Sequence, residues 1–316
     1  MKRIIFFKWV IVAWIVASAV ACSKSSSSNP SSSSSSSTDT TKSSSGSGSG
    51  SGLLKQEVLT MQAGSLGTID SVVYQFQYNG SGQLSGLQQT TISSFSGTTF
   101  NTAISYTYTY SGSLVSSIAG TVNESITGTS GTYSSTTTLT MTFQSAAGKI
   151  TGYVQTATTT GSPLIPATPE TANDSAVITY DGSGNVASYD LYLLSSGSYI
   201  PWTQETFTLS SGNMTGTVLN EYVASVLTNT QTTTYTYNAK LAASPYYGIP
   251  GVPINNANDV TGESQTTTGT NPASLSYTYT TTYNSANQPS SSSVAVTQTP
   301  ANADNITGEQ ITYTYQ

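Results

Sequence analysis

Histidine is absent from all 316 residues, and cysteine occurs once, at Cys22. Without histidine, the usual general acid–base group near neutral pH and the commonest metal ligand are both missing. Ser–His and Cys–His nucleophilic sites are excluded, as are zinc sites with imidazole ligands. A single cysteine forms no internal disulfide. Charge is scarce as well: Asp, Glu, Lys and Arg make up 7% of the chain, against about 25% in an ordinary soluble domain. Lys2, Arg3 and Lys8 lie in the first ten residues, which leaves five lysines, no arginine and fourteen acids for the rest. A phosphate backbone needs cationic neutralisation, so this balance speaks against nucleic acid and against electrostatic docking on anionic lipid.

What the chain has instead is Ser, Thr, Gly, Asn and Tyr, unevenly spread. Met1-Lys2-Arg3 opens a positive stretch, and Trp9 to Val20 is an apolar run too short to cross a bilayer comfortably, which takes about 20 residues. The run ends Ala19-Val20-Ala21-Cys22, small residues of the kind that precede a signal-peptide cut. The sequence here resembles a bacterial lipoprotein signal, which implies a leader over 1–21, lipidation of Cys22 and attachment to the outer membrane through a lipid anchor, facing the cell surface or the periplasm. Residues 23–52 are almost pure Ser, Thr and Gly. They bury nothing against the entropy of ordering, so 22–52 reads as a disordered tether, with a reach of roughly 30 Å.

From Leu53 to Gln316 one pattern recurs. Tyr74, Phe76 and Tyr78 alternate before NGSGQ and Leu84; Tyr106, Tyr108 and Tyr110 before SGS and Leu114; Leu139, Met141 and Phe143 before QSAAGK and Ile150. Ile178 and Tyr180 lead through DGSGN to Val186, Phe207 and Leu209 through SSGN to Met214, Tyr235 and Tyr237 through NAK to Leu241, and Tyr277, Tyr279 and Tyr283 through NSANQ to Pro289. Period-two alternation with Gly, Asn and Ser at the turn is the signature of a β-hairpin, and the repeat step is about 34 residues. The expected fold is all-β: an antiparallel meander of repeated hairpins forming a large twisted sheet that curls or splits into two packed layers. About fifteen strands exceed what an open twisted sheet usually holds.

The stretch YDGSGNV, Tyr180 to Val186, is one copy of that turn. A calcium loop starting at Asp181 needs glycine at its sixth position and glutamate at its twelfth, where this chain has Val186 and Tyr192. Alternation places Tyr106, Tyr108 and Tyr110 on one strand face and Thr107 and Thr109 on the other, which suits tyrosine in the core and threonine in water. Tyr199, Trp202, Tyr246 and Tyr247 stand beside Pro or Gly outside the regular alternation. They are the candidate contacts for a glycan or peptide ligand.

The order Tyr235-Thr236-Tyr237-Asn238-Ala239-Lys240, Pro245-Tyr246-Tyr247-Gly248, Ile254-Asn255-Asn256-Ala257-Asn258 and Tyr277 to Pro289 resembles a family of uncharacterised Bacteroidota lipoproteins with a Tyr-rich, YD-repeat-like β domain of unknown function. The resemblance implies an antiparallel β fold in the cell envelope and carries no activity. Asp39-Thr40-Thr41, Asp70-Ser71-Val72 and Asp174-Ser175-Ala176 resemble the O-glycosylation motif of that phylum, which makes Thr40, Ser71 and Ser175 candidate acceptors.

Glycoside hydrolysis needs no histidine, since two carboxylates suffice. Glu57, Glu205, Glu221, Glu263 and Asp190 are scattered singly, however, and no motif joins them. The sequence therefore reads as non-catalytic, with no cofactor and no metal site. The expected role is binding or surface coating by an outer-membrane lipoprotein. The alternative is a periplasmic carrier or envelope scaffold that holds an apolar ligand in a curved sheet.

Overall fold

The computed structural model describes residues 53–63, 69–95, 97–128, 131–161, 170–241, 258–270, 272–299 and 306–315. Among the described residues, all the regular structure is strand. In chain order the strands are β1 (Leu54–Ala63), β2 (Ile69–Tyr78), β3 (Leu84–Phe95), β4 (Thr98–Ser111), β5 (Leu114–Gly128), β6 (Gly131–Ala146), β7 (Lys149–Gly161) and β8 (Glu170–Tyr180). They continue as β9 (Val186–Ser195), β10 (Ser198–Ser210), β11 (Asn213–Val223), β12 (Val226–Leu241), β13 (Asn258–Gly269), β14 (Ala273–Tyr283), β15 (Pro289–Thr299) and β16 (Ile306–Tyr315). Each pairs antiparallel with its sequence neighbours, and β1 pairs with β16, so the sheet closes into one barrel. Glu57 lies opposite Tyr313, and Leu59 opposite Ile311.

This corrects the expectation of an open sheet that curls or splits into two layers. The hairpins are where the alternation puts them, but the first and last strands find each other. Closure pairs the backbone groups that two edge strands would leave open.

The two faces of the wall differ sharply. In β4, Ile104, Tyr106 and Tyr108 are buried while Ser105, Thr107 and Thr109 are exposed. No described element lies outside the wall, so the buried face is the inside. The outside carries rows of hydroxyls, such as Thr121, Thr138, Thr158 and Thr171 across four strands in register, with exposed apolar residues such as Val154, Val177 and Val218 among them.

The barrel has two unlike ends. One end, called the base here, carries the turns after the even-numbered strands and the start of β1. Three of its turns share one design. The side-chain oxygen of Asn79 accepts from the backbone N–H of Ser81 and Gln83, at 3.0 Å each. Asp181 does the same for Ser183 and Asn185, at 2.9 and 2.8 Å, and Asn284 for Ala286 and Gln288, at 2.9 and 3.0 Å. YDGSGNV is thus a turn in which an acid stands where its sister turns use asparagine.

Just inside the base, tyrosines tie four of the even-numbered strands, β2, β4, β8 and β12, to the strand before them. The hydroxyl of Tyr78 donates to the Leu54 carbonyl at 2.9 Å, Tyr110 to Leu84 at 2.9 Å and Tyr180 to Ile150 at 2.7 Å; Tyr237 donates to Met214 in the same way. Leu84, Ile150 and Met214, the residues that follow the turns, are almost fully buried, as are Val115 and Val186. The other end, the mouth, carries the turns after the odd-numbered strands.

Candidate functional site

The interior is the part of the molecule with chemistry in it. Its lower and middle levels are aromatic. Tyr74, Tyr106, Tyr108, Tyr153, Tyr189 and Tyr313 belong to or pack against one buried cluster that also holds Phe76, Ile118, Leu139 and Ile178. The hydroxyls of Tyr153 and Tyr189 hydrogen-bond to each other, and Phe143 meets Tyr153 edge-on with ring centroids 5.5 Å apart. Toward the mouth the same face turns polar, with Thr102 opposite Glu124 and Glu124 opposite Ser135.

Strand parity puts the acids on this inner face. Glu57, Glu124, Asp174, Glu205, Glu221, Glu263 and Glu309 all share it. Among the other strand acids whose side chains are described, Asp190 lies on the outer face, and Asp259, beside the register shift in β13, accepts from the Tyr283 hydroxyl at 2.5 Å near the base. The inner carboxylates take donors from neutral neighbours. Gln155 Nε2 donates to Asp174 at 3.2 Å, Ser135 Oγ to Glu124 at 3.1 Å and Asn229 Nδ2 to Glu221 at 3.0 Å. Glu263 receives Gln265 and, at 3.3 Å, the hydroxyl of Tyr279.

The described lysines all stand at the base. Lys55 lies near the start of β1. Lys149 donates to the Gly184 carbonyl at 3.2 Å and sits 4.6 Å from the centre of the Tyr180 ring. Lys240 reaches Asn287 Oδ1 at 3.2 Å. The inner face between base and mouth therefore carries acids with no described lysine among them. Asp181 belongs to the base as well: hydrogen bonds from Asn185 and from the turn backbone hold its carboxyl below the usual aspartate value.

The residues singled out from sequence do not assemble into one site. Tyr199 is exposed, on the outer side near the mouth. Trp202 sits at a register shift in β10 and packs, partly buried, against the buried cluster. Tyr246 and Tyr247 lie outside the described residues, as do Cys22 and Thr40. Ser71 and Ser175 are half-buried in paired strands on the outer face. Glu205 and Glu57 are buried, whereas Glu221 is exposed near the mouth. Among the described residues, no three His, Cys, Asp or Glu side chains are placed to hold a metal ion.

No family model matches the chain, and no curated protein matches it. Solved structures similar to it include two porin-like proteins from Bacteroides. One is a porin-like protein from Bacteroides uniformis ATCC 8492, at 14% identity, with 83% of this chain and 96% of that chain covered and a TM-score of 0.48. The other is a porin-like protein from Bacteroides vulgatus ATCC 8482, at 12% identity, with 82% and 97% covered and a TM-score of 0.42. Identities this low and TM-scores below 0.5 leave the function of this chain to its own geometry.

Four expectations are corrected here. The likeness to YD-repeat lipoproteins of unknown function does not hold, because the hairpins close into one barrel and no family model matches. The binding or surface-coat role of a tethered lipoprotein presumed a repetitive open β-domain, and the apolar-ligand carrier a curved sheet with a free concave face; the sheet here closes, and its concave face is the inside of a wall lined with tyrosine and carboxylate. A membrane partnership through a lipid anchor is set aside as well. A closed wall pairs its own backbone groups, which is the condition for strands themselves to enter a bilayer. A lipid-anchored outer-membrane location falls with it, since that placement rested on the anchor at Cys22.

Proposed function

We propose that the protein works through the interior of its barrel, as a porin-like passage that admits small cationic and uncharged solutes and turns anions away. One observation carries this reading: seven carboxylates share the inner face with no described lysine between base and mouth. Walls of one charge sign focus the field along an enclosed space and raise the local concentration of counter-ions, and rings of Asp and Glu select for cations in pores. A ring of sixteen strands is also wide enough, in a regular barrel, to leave an aqueous space. The near absence of charge from the outer face agrees, because Lys or Arg on a lipid-facing strand costs about 2–4 kcal/mol at the bilayer midplane.

The test is conductance across a planar bilayer under a KCl gradient. The reversal potential is expected to show cation preference, and Glu124→Gln with Glu221→Gln to reduce it. Anion preference, or no change in the double variant, overturns the reading. A second reading is favoured by the threonine rows, since a lipid-facing wall carries an apolar band and this one carries hydroxyls. In that reading the barrel stands in water and gathers cations at its mouth without transit. It predicts a protein that stays monodisperse without detergent and never conducts.

We also propose that residues 1–21 act as an export leader and 22–52 as a polar tether to the barrel at 53–316. Mass spectrometry of the mature N-terminus tests the cut.

A further inference from the structure

The inner face is not even around the ring. On β4 to β9 it is packed shut, with Tyr106, Tyr108, Leu139, Tyr153, Ile178 and Tyr189 all buried. On β12 to β14 the inward tyrosines, and the carboxylate between them, are only partly covered. There Glu263 of β13 lies directly opposite Tyr235 of β12 on one side and Tyr277 of β14 on the other. Side chains paired in this way stand about 5 Å apart at Cβ. Tyr279, next on the same face after Tyr277, donates its hydroxyl to Glu263 at 3.3 Å, and Gln265 donates to the same carboxylate. Glu309 of β16 lies within electrostatic reach of Glu263, Tyr277 and Tyr279. Tyr74, Glu57 and Tyr313 repeat the Tyr–Glu–Tyr register on β2, β1 and β16. Glu57 is only 7% exposed, however, so that copy is closed to a solute.

We propose that Tyr235, Glu263 and Tyr277 form a binding station for organic ammonium ions, so that the cations the barrel prefers are alkylated amines rather than alkali metal ions. This rests on the cation-attracting interior proposed above and names the class of cation. A carboxylate alone attracts every cation. Ring faces beside it add a cation–π attraction and an apolar body that suits methyl groups. An alkylated ammonium, with its charge under methyl groups, also gives up less hydration on entering than a potassium ion does. Among the described residues no three acids surround one metal site. No lysine is described on the inner face between base and mouth, so a solute that carries its own carboxylate meets no partner for it there.

The test is proton NMR of tetramethylammonium chloride added to the full chain in a maltoside detergent, which has no ammonium of its own. The methyl signal is expected to broaden on binding, to stay broad at an equal concentration of KCl, and to broaden more than that of tert-butanol, which has a similar shape without the charge. Tyr235→Leu/Tyr277→Leu is expected to weaken binding by roughly fivefold or more. Tyr235→Phe/Tyr277→Phe is expected to restore it, because the ring faces remain, and Glu263→Gln to weaken it. The proposal is overturned if the parent protein gives no broadening, if tert-butanol binds as well, if equimolar KCl displaces the ligand, if the leucine variant binds like the parent, or if the phenylalanine variant keeps its strands by circular dichroism and still fails like the leucine one. The parent comparisons hold even where a variant does not fold. The readout needs no conduction. A chain that holds tetramethylammonium and passes no current refutes the passage and keeps the station. One that passes cations without holding tetramethylammonium refutes the station alone.

Discussion

Gly120 should be the most telling single position in the wall. It faces inward on β5, opposite Tyr106 on one side and Leu139 on the other. A Cβ placed there would lie 2.5 and 2.6 Å from Cδ1 and Cε1 of Tyr106 and 3.2 Å from Cγ of Leu139. Comfortable carbon–carbon contacts are about 3.5–4.0 Å, so the ring would have to retreat by roughly 1 Å. It has little room to do so, since Tyr106 is 8% exposed and Ile104, Tyr108 and Leu139 around it are buried. Overpacking of this kind costs about 1–3 kcal/mol. With a urea slope of about 3 kcal/mol/M, Gly120→Ala is expected to lower the unfolding midpoint by about 0.3–1 M at unchanged slope. The decisive comparison is the same substitution in a Tyr106→Leu background. There the ring is gone, and alanine should be neutral or stabilising by about 0.4–1 kcal/mol, because it restricts the unfolded chain. Equal costs in both backgrounds would refute the claim that the tyrosine lies over the glycine.

Tyr180→Phe removes the hydroxyl bound to the Ile150 carbonyl and should cost about 0.5–1.5 kcal/mol by urea unfolding, with Tyr110→Phe costing a similar amount. Tyr153→Phe takes one hydroxyl from the buried pair with Tyr189 and should cost about 1–3 kcal/mol, more than either base tyrosine. Asp181 titrates below the usual aspartate value because the turn donates to its ionised form. Its contribution is therefore present at neutral pH and lost as pH falls through that lowered value. A carbon-13 NMR titration should find its midpoint depressed, and Asp181→Asn, which copies the sister turns, should remove that acid sensitivity.

Much of the fold was legible because local signals agreed. Period-two tyrosine, turn chemistry and the apolar residue after each turn are short-range facts, and Leu84, Ile150, Val186 and Met214 are buried where the pattern puts them. Closure was not legible. β1 and β16 look like any other half-hairpin, and nothing near Glu57 or Tyr313 in the chain says that they will meet. The acids could have been read better. Glu205 stands two residues before Phe207 and Asp174 four before Ile178, so the parity applied to the tyrosines also places these acids inward. Trp202 stands at a register shift after Pro201 and packs partly against the buried cluster, a placement that could not be read ahead because an irregular partner register leaves no mark in one strand's own sequence.

The pairing of β1 with β16 also sets an order of events for biogenesis. Fifteen of the sixteen strand pairs join neighbours in sequence and can zip as they emerge, while the last joins the two ends of the ring. Contacts between residues so far apart in sequence form slowly. Until β16 is available, β1 and whichever strand was made last present raw edges, the kind of surface on which chains aggregate. A long-lived, open-ended precursor is thus built into this topology. A holding chaperone would be needed for as long as the Ile306–Tyr315 segment stays unpaired.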